Sequence, residues 1–260
     1  MFIPLENAQI FSTSFGSKTA PAIMGIGGWI GSWELWLEPF SILSAHWHTI
    51  AYDHRGSGAT IAPIESITLD HLTADVFAVM DAYGLQSCVL AAESAGALTA
   101  LAAALKHPER IQGLVIVAGM YHQPASETES LRVESPFEQG LRHDYQRTLE
   151  RFADACVPER NAEHIKHWGL QILRRATQAA AIALFKTNSS IDLRAELHRI
   201  TQPTLILHGE ADALVPLEAA RWLAQTLPKA MLLTLANTGH VPTLTRPREV
   251  AQAILKFFAQ

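Results

Sequence analysis

Short apolar runs alternate with longer stretches in which apolar residues recur every three to four positions. This is the pattern of a mainly parallel sheet flanked by helices. Residues 1–28 read as strand: positions 8–15 alternate weakly, and Ala22-Ile23-Met24 is apolar ahead of a glycine cluster. Residues 32–45 read as helix, and Thr49-Ile50-Ala51-Tyr52 as a strand closed by Asp53-His54-Arg55-Gly56-Ser57-Gly58. Over 69–83, Leu69, Leu72, Val76, Val79 and Met80 share one helical face, and Gly84 follows as the stop. Cys88-Val89-Leu90-Ala91-Ala92 is a buried strand that runs straight into an alanine-rich helix, 95–106. Leu114-Val115-Ile116-Val117 and Thr204-Leu205-Ile206-Leu207 are further runs of the parallel-sheet type. A helix over 217–227, a strand over 231–235 and a last helix over 246–258 complete the series. The predicted fold class is α/β.

Residues 122–190 break the rhythm. Of these 69 residues 18 are charged, against 27 of the other 191, so this stretch cannot share the main core fully. It reads as two to four amphipathic helices with Pro124, Pro136 and Pro158 as breakers, inserted over the sheet edge. The expected organisation is a core of 1–121 and 191–260 with a helical insertion at 122–190.

Composition narrows the function classes. The chain has 260 residues, 48% hydrophobic and 17% charged, with a net charge of −5. It has ample material for a large core, and without a Lys/Arg run it offers no nucleic-acid surface. No apolar run approaches the roughly 18 residues of a membrane span. The start lacks a basic segment leading into a long apolar one, and two cysteines are too few for a disulfide framework. The expectation is a soluble, cytoplasmic protein, monomeric or homodimeric, with no membrane partner.

The chemistry concentrates at Leu90-Ala91-Ala92-Glu93-Ser94-Ala95-Gly96-Ala97. A buried strand ends, a serine sits at the turn, and a helix starts at once. Ala92, Ala95, Gly96 and Ala97 are small enough to let strand and helix backbones nearly touch. Such a corner strains the serine backbone and lifts its hydroxyl above the sheet, while the first free N–H groups of the helix face any forming oxyanion. An ordinary serine N-cap has the same local sequence, and the usual motif has glycine where Ala92 stands, so the rest of the chain must decide.

Four further segments decide it. Asp53-His54-Arg55-Gly56-Ser57-Gly58 is similar to a D-x-R-G-x-G turn, and His107-Pro108-Glu109-Arg110 leads into the strand at 114–117. Pro203 to Asp212 resembles a strand and turn that deliver an acid, and Thr238-Gly239-His240 a turn that delivers a histidine. In this order the segments resemble the serine-nucleophile branch of the α/β-hydrolase superfamily that carries a helical cap, the carboxylesterase, lactonase and C–C hydrolase group. The resemblance covers 1–121 and 191–260 and implies a mostly parallel sheet with 122–190 as the cap. It implies Ser94 as nucleophile, His240 as base and Asp212 as acid, in the chain order of this fold, with Glu210 as a rival acid. The oxyanion hole is then the backbone N–H of Ala95 with that of Ile26, in Met24-Gly25-Ile26-Gly27-Gly28-Trp29, and Gly27 is the nearest competitor. Met24 stands where the family usually has a histidine that braces this loop. Gly27, Trp29, Tyr121, Trp168 and Val241 are expected to line the substrate pocket.

Other residues keep structural readings. Asp53 and Arg55 stabilise their turn, and Cys88 is a packing thiol. His46 with His48, and Glu163-His164 with His167, lack the third and fourth ligands a metal site needs. No metal or organic cofactor is expected. The expected partner is a small-molecule ester or lactone, cleaved through an acyl-Ser94 intermediate. C–C bond hydrolysis of a vinylogous diketone, or a ligand-binding receptor role, remain open alternatives of the same fold.

Overall fold

A strand buried on both faces must be apolar at every position, and the central runs of this chain meet that demand. The computed structural model describes residues 1–122 and 135–259. Among these, eight strands form one sheet: β1 (Phe2–Leu5), β2 (Ala8–Phe15), β3 (Ala22–Ile26), β4 (His48–Tyr52), β5 (Cys88–Glu93), β6 (Ile111–Val117), β7 (Thr204–Gly209) and β8 (Ala230–Leu235). Their spatial order is β1-β2-β4-β3-β5-β6-β7-β8. The β1–β2 and β2–β4 pairs are antiparallel and every later pair is parallel. Every residue of β3, β4, β5 and β7 is buried.

Helices cover both faces. Against one lie α2 (Leu69–Ala82), α3 (Gly96–Lys106) and α8 (Leu217–Thr226), which contribute Val76, Val79, Leu98, Leu101 and Leu223 to its core. Against the other lie α1 (Leu37–Leu43) and α10 (Pro247–Phe258), through Phe40, Leu43, Val250 and Ile254. The Thr68 hydroxyl caps α2 by accepting from the His71 N–H at 3.3 Å, satisfying one otherwise unpaired donor. Where sequence pattern predicts one helix over 32–45, the chain makes a 3-10 turn at Trp33–Trp36 and then the shorter α1. The predicted last helix is likewise preceded by a separate short turn, α9 (Pro242–Thr245). In both places a proline opens or interrupts the helical run, because it lacks an N–H to continue the ladder.

Among the described residues four α-helices lie between β6 and β7: α4 (Pro136–His143), α5 (Tyr145–Cys156), α6 (Glu163–Leu173) and α7 (Gln178–Ser189). Pro136 opens α4 and Pro158 follows α5, as breakers should, whereas Pro124 lies outside the described residues. Leu141, Leu149, Ala181 and Leu184 pack on Trp29, Ile30, Ile67 and Ala95, which follow the strand ends. Polar ties add to this packing. The Trp29 indole donates to the Ala181 carbonyl at 2.9 Å, the Thr187 hydroxyl to the Ile67 carbonyl at 2.8 Å, and Arg175 pairs with Glu34. These four helices therefore stand over the C-terminal ends of the strands, the side where open α/β sheets bind ligands. No helix among the described residues is long and apolar enough to cross a membrane.

The turn after β4 is held by buried charge. Both Asp53 carboxylate oxygens accept backbone N–H groups, from Trp33 and from Ala59, each at 2.7 Å. The Arg55 guanidinium grips Asp75 of α2 with two bonds, of 2.7 and 2.9 Å, and donates a third to Asn7. Both charges are almost wholly buried, so removing one strands the other without water. Asp75→Ala should cost about 3–5 kcal/mol in urea denaturation. The paired replacement Arg55→Met with Asp75→Leu should cost clearly less than either single truncation.

Candidate active site

Among the described residues four other than glycine adopt a left-handed backbone, Ser94 among them, with φ 52°. A serine there costs on the order of 1–3 kcal/mol, so its surroundings must impose it. The corner between β5 and α3 does so. The Ser94 N–H donates to the Val117 carbonyl at 2.9 Å, and the Ser94 carbonyl accepts from Met120 and Ala97 at 3.0 and 3.1 Å. The helix then starts against the loop after β3. A Cβ on Gly96 would stand 2.3 Å from the Gly27 carbonyl oxygen, a distance only glycine allows. The hydroxyl is thereby delivered at the C-terminal end of the interior strand β5.

His240 meets it from the turn after β8, with Nε2 2.8 Å from Ser94 Oγ and Nδ1 2.8 Å from Asp212 Oδ2. A carboxylate only accepts, so Nδ1 carries the proton and Nε2 is left to accept from the serine hydroxyl. All three side chains are buried. Burial pushes the Asp212 carboxyl up, but hydrogen bonds from His240 and from the Val215 and Leu214 amides outweigh it and hold the group below the usual carboxylate range. Those amides donate to Oδ1 at 3.0 and 2.8 Å. Glu210 takes no part: its carboxylate accepts from the Thr234 hydroxyl on β8 at 2.8 Å.

Two histidines brace this arrangement from the core. His208, on β7, is fully buried, with Nε2 2.9 Å from the Val215 carbonyl and 3.5 Å from Asp212 Oδ2. Burial lowers its pKa, so it steadies the acid's loop as a neutral ring. His54 has Nε2 2.9 Å from the Gly28 carbonyl and Nδ1 3.0 Å from the Arg55 carbonyl. It reaches the loop after β3 from the neighbouring turn, and so supplies the polar brace that Met24 cannot. The sequence signal was present for both, since each lies in a quoted motif, but a motif does not say which group the ring meets.

The loop after β3 differs from the sequence expectation. Ile26 is the last residue of β3, paired with Tyr52 and Ala92 on its two sides, and its carbonyl accepts from the Trp36 indole at 3.0 Å. The residue that faces the serine is Gly28: a Cβ there would lie 3.2 Å from Ser94 Cβ and 3.8 Å from Oγ. The Gly27 carbonyl is turned onto α3, so across the trans peptide the Gly28 N–H points the other way. Among the described residues the Gly28 and Ala95 N–H groups have no acceptor. Ile26 is thus held in the sheet, and the loop residues that follow it, Gly28 and Trp29, are the ones that line the cavity at Ser94 with N–H groups lacking an acceptor among the described residues.

Two cavities meet at Ser94. One, of about 50 Å³, is apolar and lined by Trp29, Ile30, Leu35, Ile172 and Val241. The other, of about 540 Å³, runs between Met120, Phe137, Phe185 and Val215. Trp29 and Val241 line the site as predicted, whereas Gly27, Tyr121 and Trp168 do not. Gly27 packs on Gly96 and on the Gly31 carbonyl. Tyr121 stacks on Trp222 of α8 with ring centroids 4.7 Å apart, and the neighbouring Met120 lines the wide cavity instead. On α6 the lining face carries Lys166, Gly169, Ile172 and Leu173, and Trp168 falls off it, 38% exposed.

The inserted helices also touch the histidine itself. The His240 N–H donates to the Cys156 carbonyl at the end of α5 at 2.9 Å, and the Gly239 N–H to Glu159 Oε1 at 2.8 Å. From below, the Thr243 hydroxyl donates to Glu93 Oε1 at 2.8 Å, tying the residue before the nucleophile to the histidine's turn. Cys88, by contrast, is inert, its thiol pushed up to about 12 by burial.

A mostly parallel sheet in this order, with a serine at a strained strand-to-helix corner facing a histidine, defines an α/β hydrolase. The family model described as Serine aminopeptidase, S33 matches residues 41–240, and the chain belongs to that family. It is 31% identical over 243 residues to a pimeloyl-[acyl-carrier protein] methyl ester esterase of Nitrosomonas europaea, covering 88% of this chain and 92% of that one. It is 26% identical over 239 residues to a putative carbamate hydrolase RutD of Caulobacter segnis, covering 90% and 88%. Its fold matches that of an enol-lactonase from Burkholderia xenovorans, with TM-score 0.90, 20% identity and complete coverage of both chains.

Two predictions follow from this geometry. Gly28→Ala places a methyl group 3.2 Å from Ser94 Cβ, crowding the hydroxyl, and should lower kcat about 10–100-fold in steady-state assays with little change in melting temperature. The second concerns Glu93, whose carboxyl is raised by burial from the ordinary 4.5 to about 8. The folded chain keeps that proton up to about pH 8, while the unfolded chain loses it near pH 4.5, so between these values stability falls as pH rises. In urea titrations the wild type should lose up to about 1.4 kcal/mol per pH unit relative to Glu93→Gln over that window, and hold a constant difference above it.

Proposed function

We propose that this protein hydrolyses small carboxylic esters or lactones through an acyl-Ser94 intermediate. The observation that carries the reading is the continuous chain of hydrogen bonds from Asp212 through His240 to Ser94, each 2.8 Å long, opening onto two cavities. A serine hydroxyl becomes a competent nucleophile when a base takes its proton in the transition state. His240 Nε2 takes it as Ser94 Oγ attacks the carbonyl carbon. Asp212 keeps the ring in the right tautomer and stabilises the imidazolium. The Ala95 amide and an amide of the Gly28-Trp29 turn, which His54 braces, hold the negative oxygen. His240 then returns the proton to the departing alkoxide, and water attacks the acyl-serine by the same route in reverse.

The helices α4 to α7 act as a cap in this reading. They cover the acyl-enzyme, limit substrate size and help fix His240 through the Cys156 carbonyl. Low solvent access strengthens every charge interaction inside the site. The ester-directed relatives support the bond type, and the apolar 50 Å³ cavity favours a short hydrocarbon group on one side of the carbonyl.

The test is steady-state hydrolysis of p-nitrophenyl butyrate. Ser94→Ala and His240→Ala should each lower kcat by about 10³-fold or more, and the double variant should fall little further, because the two act as a unit. Asp212→Asn should be strongly impaired while Glu210→Gln is not. Full activity in Ser94→Ala would remove the reading.

A further inference from the structure

A polar side chain that folding buries without a partner loses its hydrogen bonds to water and gains nothing in return. Asn188, near the end of α7, is largely buried, and its carboxamide opens onto the cavities it lines. It is 7% exposed, and its backbone carbonyl accepts from the Ile191 N–H at 3.2 Å. Among the described residues nothing hydrogen-bonds its carboxamide. Three other α7 residues with polar side chains are engaged: Gln178 with the Leu141 and Arg142 carbonyls, Thr187 with the Ile67 carbonyl and Ser189 with the Phe185 carbonyl. Asn188 instead lines the wide cavity that contains Ser94 and His240, and also a small recess beneath it beside His54, Ala95 and Thr99.

The rest of the wide cavity has little polarity to offer. Its walls are mainly Trp29, Met120, Phe137, Phe152, Phe185 and Leu214. Ser135, at its rim, already accepts the Glu138 N–H at 3.1 Å. Among the described residues the only ionisable side chain there is His240. Among the described residues a charged substrate group would meet no counter-ion in this cavity, which is costly. A neutral group that both donates and accepts, an amide above all, would match a carboxamide that does the same. A few placed polar groups in an otherwise apolar pocket are how such sites select among ligands.

We infer that Asn188 is a specificity-determining residue, whose carboxamide hydrogen-bonds a neutral polar group, an amide or a hydroxyl, on the part of the ester that fills the wide cavity. This rests on the ester-hydrolase reading and adds the substrate class. The preferred substrates carry a short hydrocarbon group on one side of the reacting carbonyl and an uncharged hydrogen-bonding group on the other. A site built to pair such a group discriminates strongly against an analogue that lacks it, because its own polar atoms are then left unmatched.

The test uses two pairs of esters of matched shape. The first places the amide on the alcohol side, 2-acetamidoethyl butyrate against 4-methylpentyl butyrate. The second places it on the acyl side, methyl N-acetyl-β-alaninate against methyl 5-methylhexanoate. In one of the pairs, Asn188→Leu should lower the polar-to-hydrocarbon ratio of kcat/KM about 10–100-fold. Asn188→Ala should move the ratio the same way, and melting curves of both variants report whether they fold. A residue needed only for packing would depress both members of a pair alike. An unchanged ratio in both pairs, with the esters still hydrolysed, would overturn this proposal alone. No hydrolysis of any of the four esters by the wild type would overturn the ester-hydrolase reading and this inference with it.

Discussion

The close approach of two backbones decides what this site can be. At the junction of β5 and α3 the Gly96 Cα faces the Gly27 carbonyl with no room for a side chain, and Ser94 is turned into a left-handed conformation. That conformation is unfavourable alone, and here it is held by the Val117, Met120 and Ala97 backbone bonds on either side. The sheet contributes rigidity. Every residue of β3 and β5 is buried, so neither strand can shift to relieve the serine. Core packing is thus coupled directly to the position of a single hydroxyl, as expected where strain is stored at a functional site.

Electrostatics completes what packing starts. Buried polar groups are tolerable when paired, and around Ser94 most are: Asp212 by His240 and two amides, and His54 by the Gly28 carbonyl. Glu93 resolves the same problem differently, by keeping its proton. A second carboxylate so near Asp212 would disturb the imidazole, and a neutral acid held by Thr243 does not. The helices over the site share in this order. The end of α5 accepts the His240 N–H, so the segment that covers the substrate also helps hold the base. Displacing that segment would be felt in the catalytic geometry as well as in the pocket.

Much of this was legible in the sequence, and the exceptions have physical causes. The buried strands stood out because a strand covered on both faces must be apolar throughout, and Leu69 to Met80 stood out because one helical face must be. Ser94, Asp212 and His240, brought together in the fold, were legible because each sits at a strand end in a short pattern of small residues. Ile26 was the expected oxyanion donor because Gly25-Ile26-Gly27-Gly28 offers several equivalent registers to a reader of the chain. Only the pairing of Ile26 with Ala92 shows that the strand continues to that point. Trp168 misled because one step along a helix turns a side chain by about 100°. Asn188 carries no local signal of its role, and His54 and His208, though each lies in a recognisable motif, take their roles from partners set by tertiary packing.

The central claim is that Ser94 is an activated nucleophile reachable from the cavity. Incubation with a fluorophosphonate probe, followed by peptide mapping by mass spectrometry, tests activation and access together. The account predicts one modified residue, Ser94, with labelling slowed severely when His240 is replaced by alanine. Modification at another residue, or none in the folded protein, would contradict it.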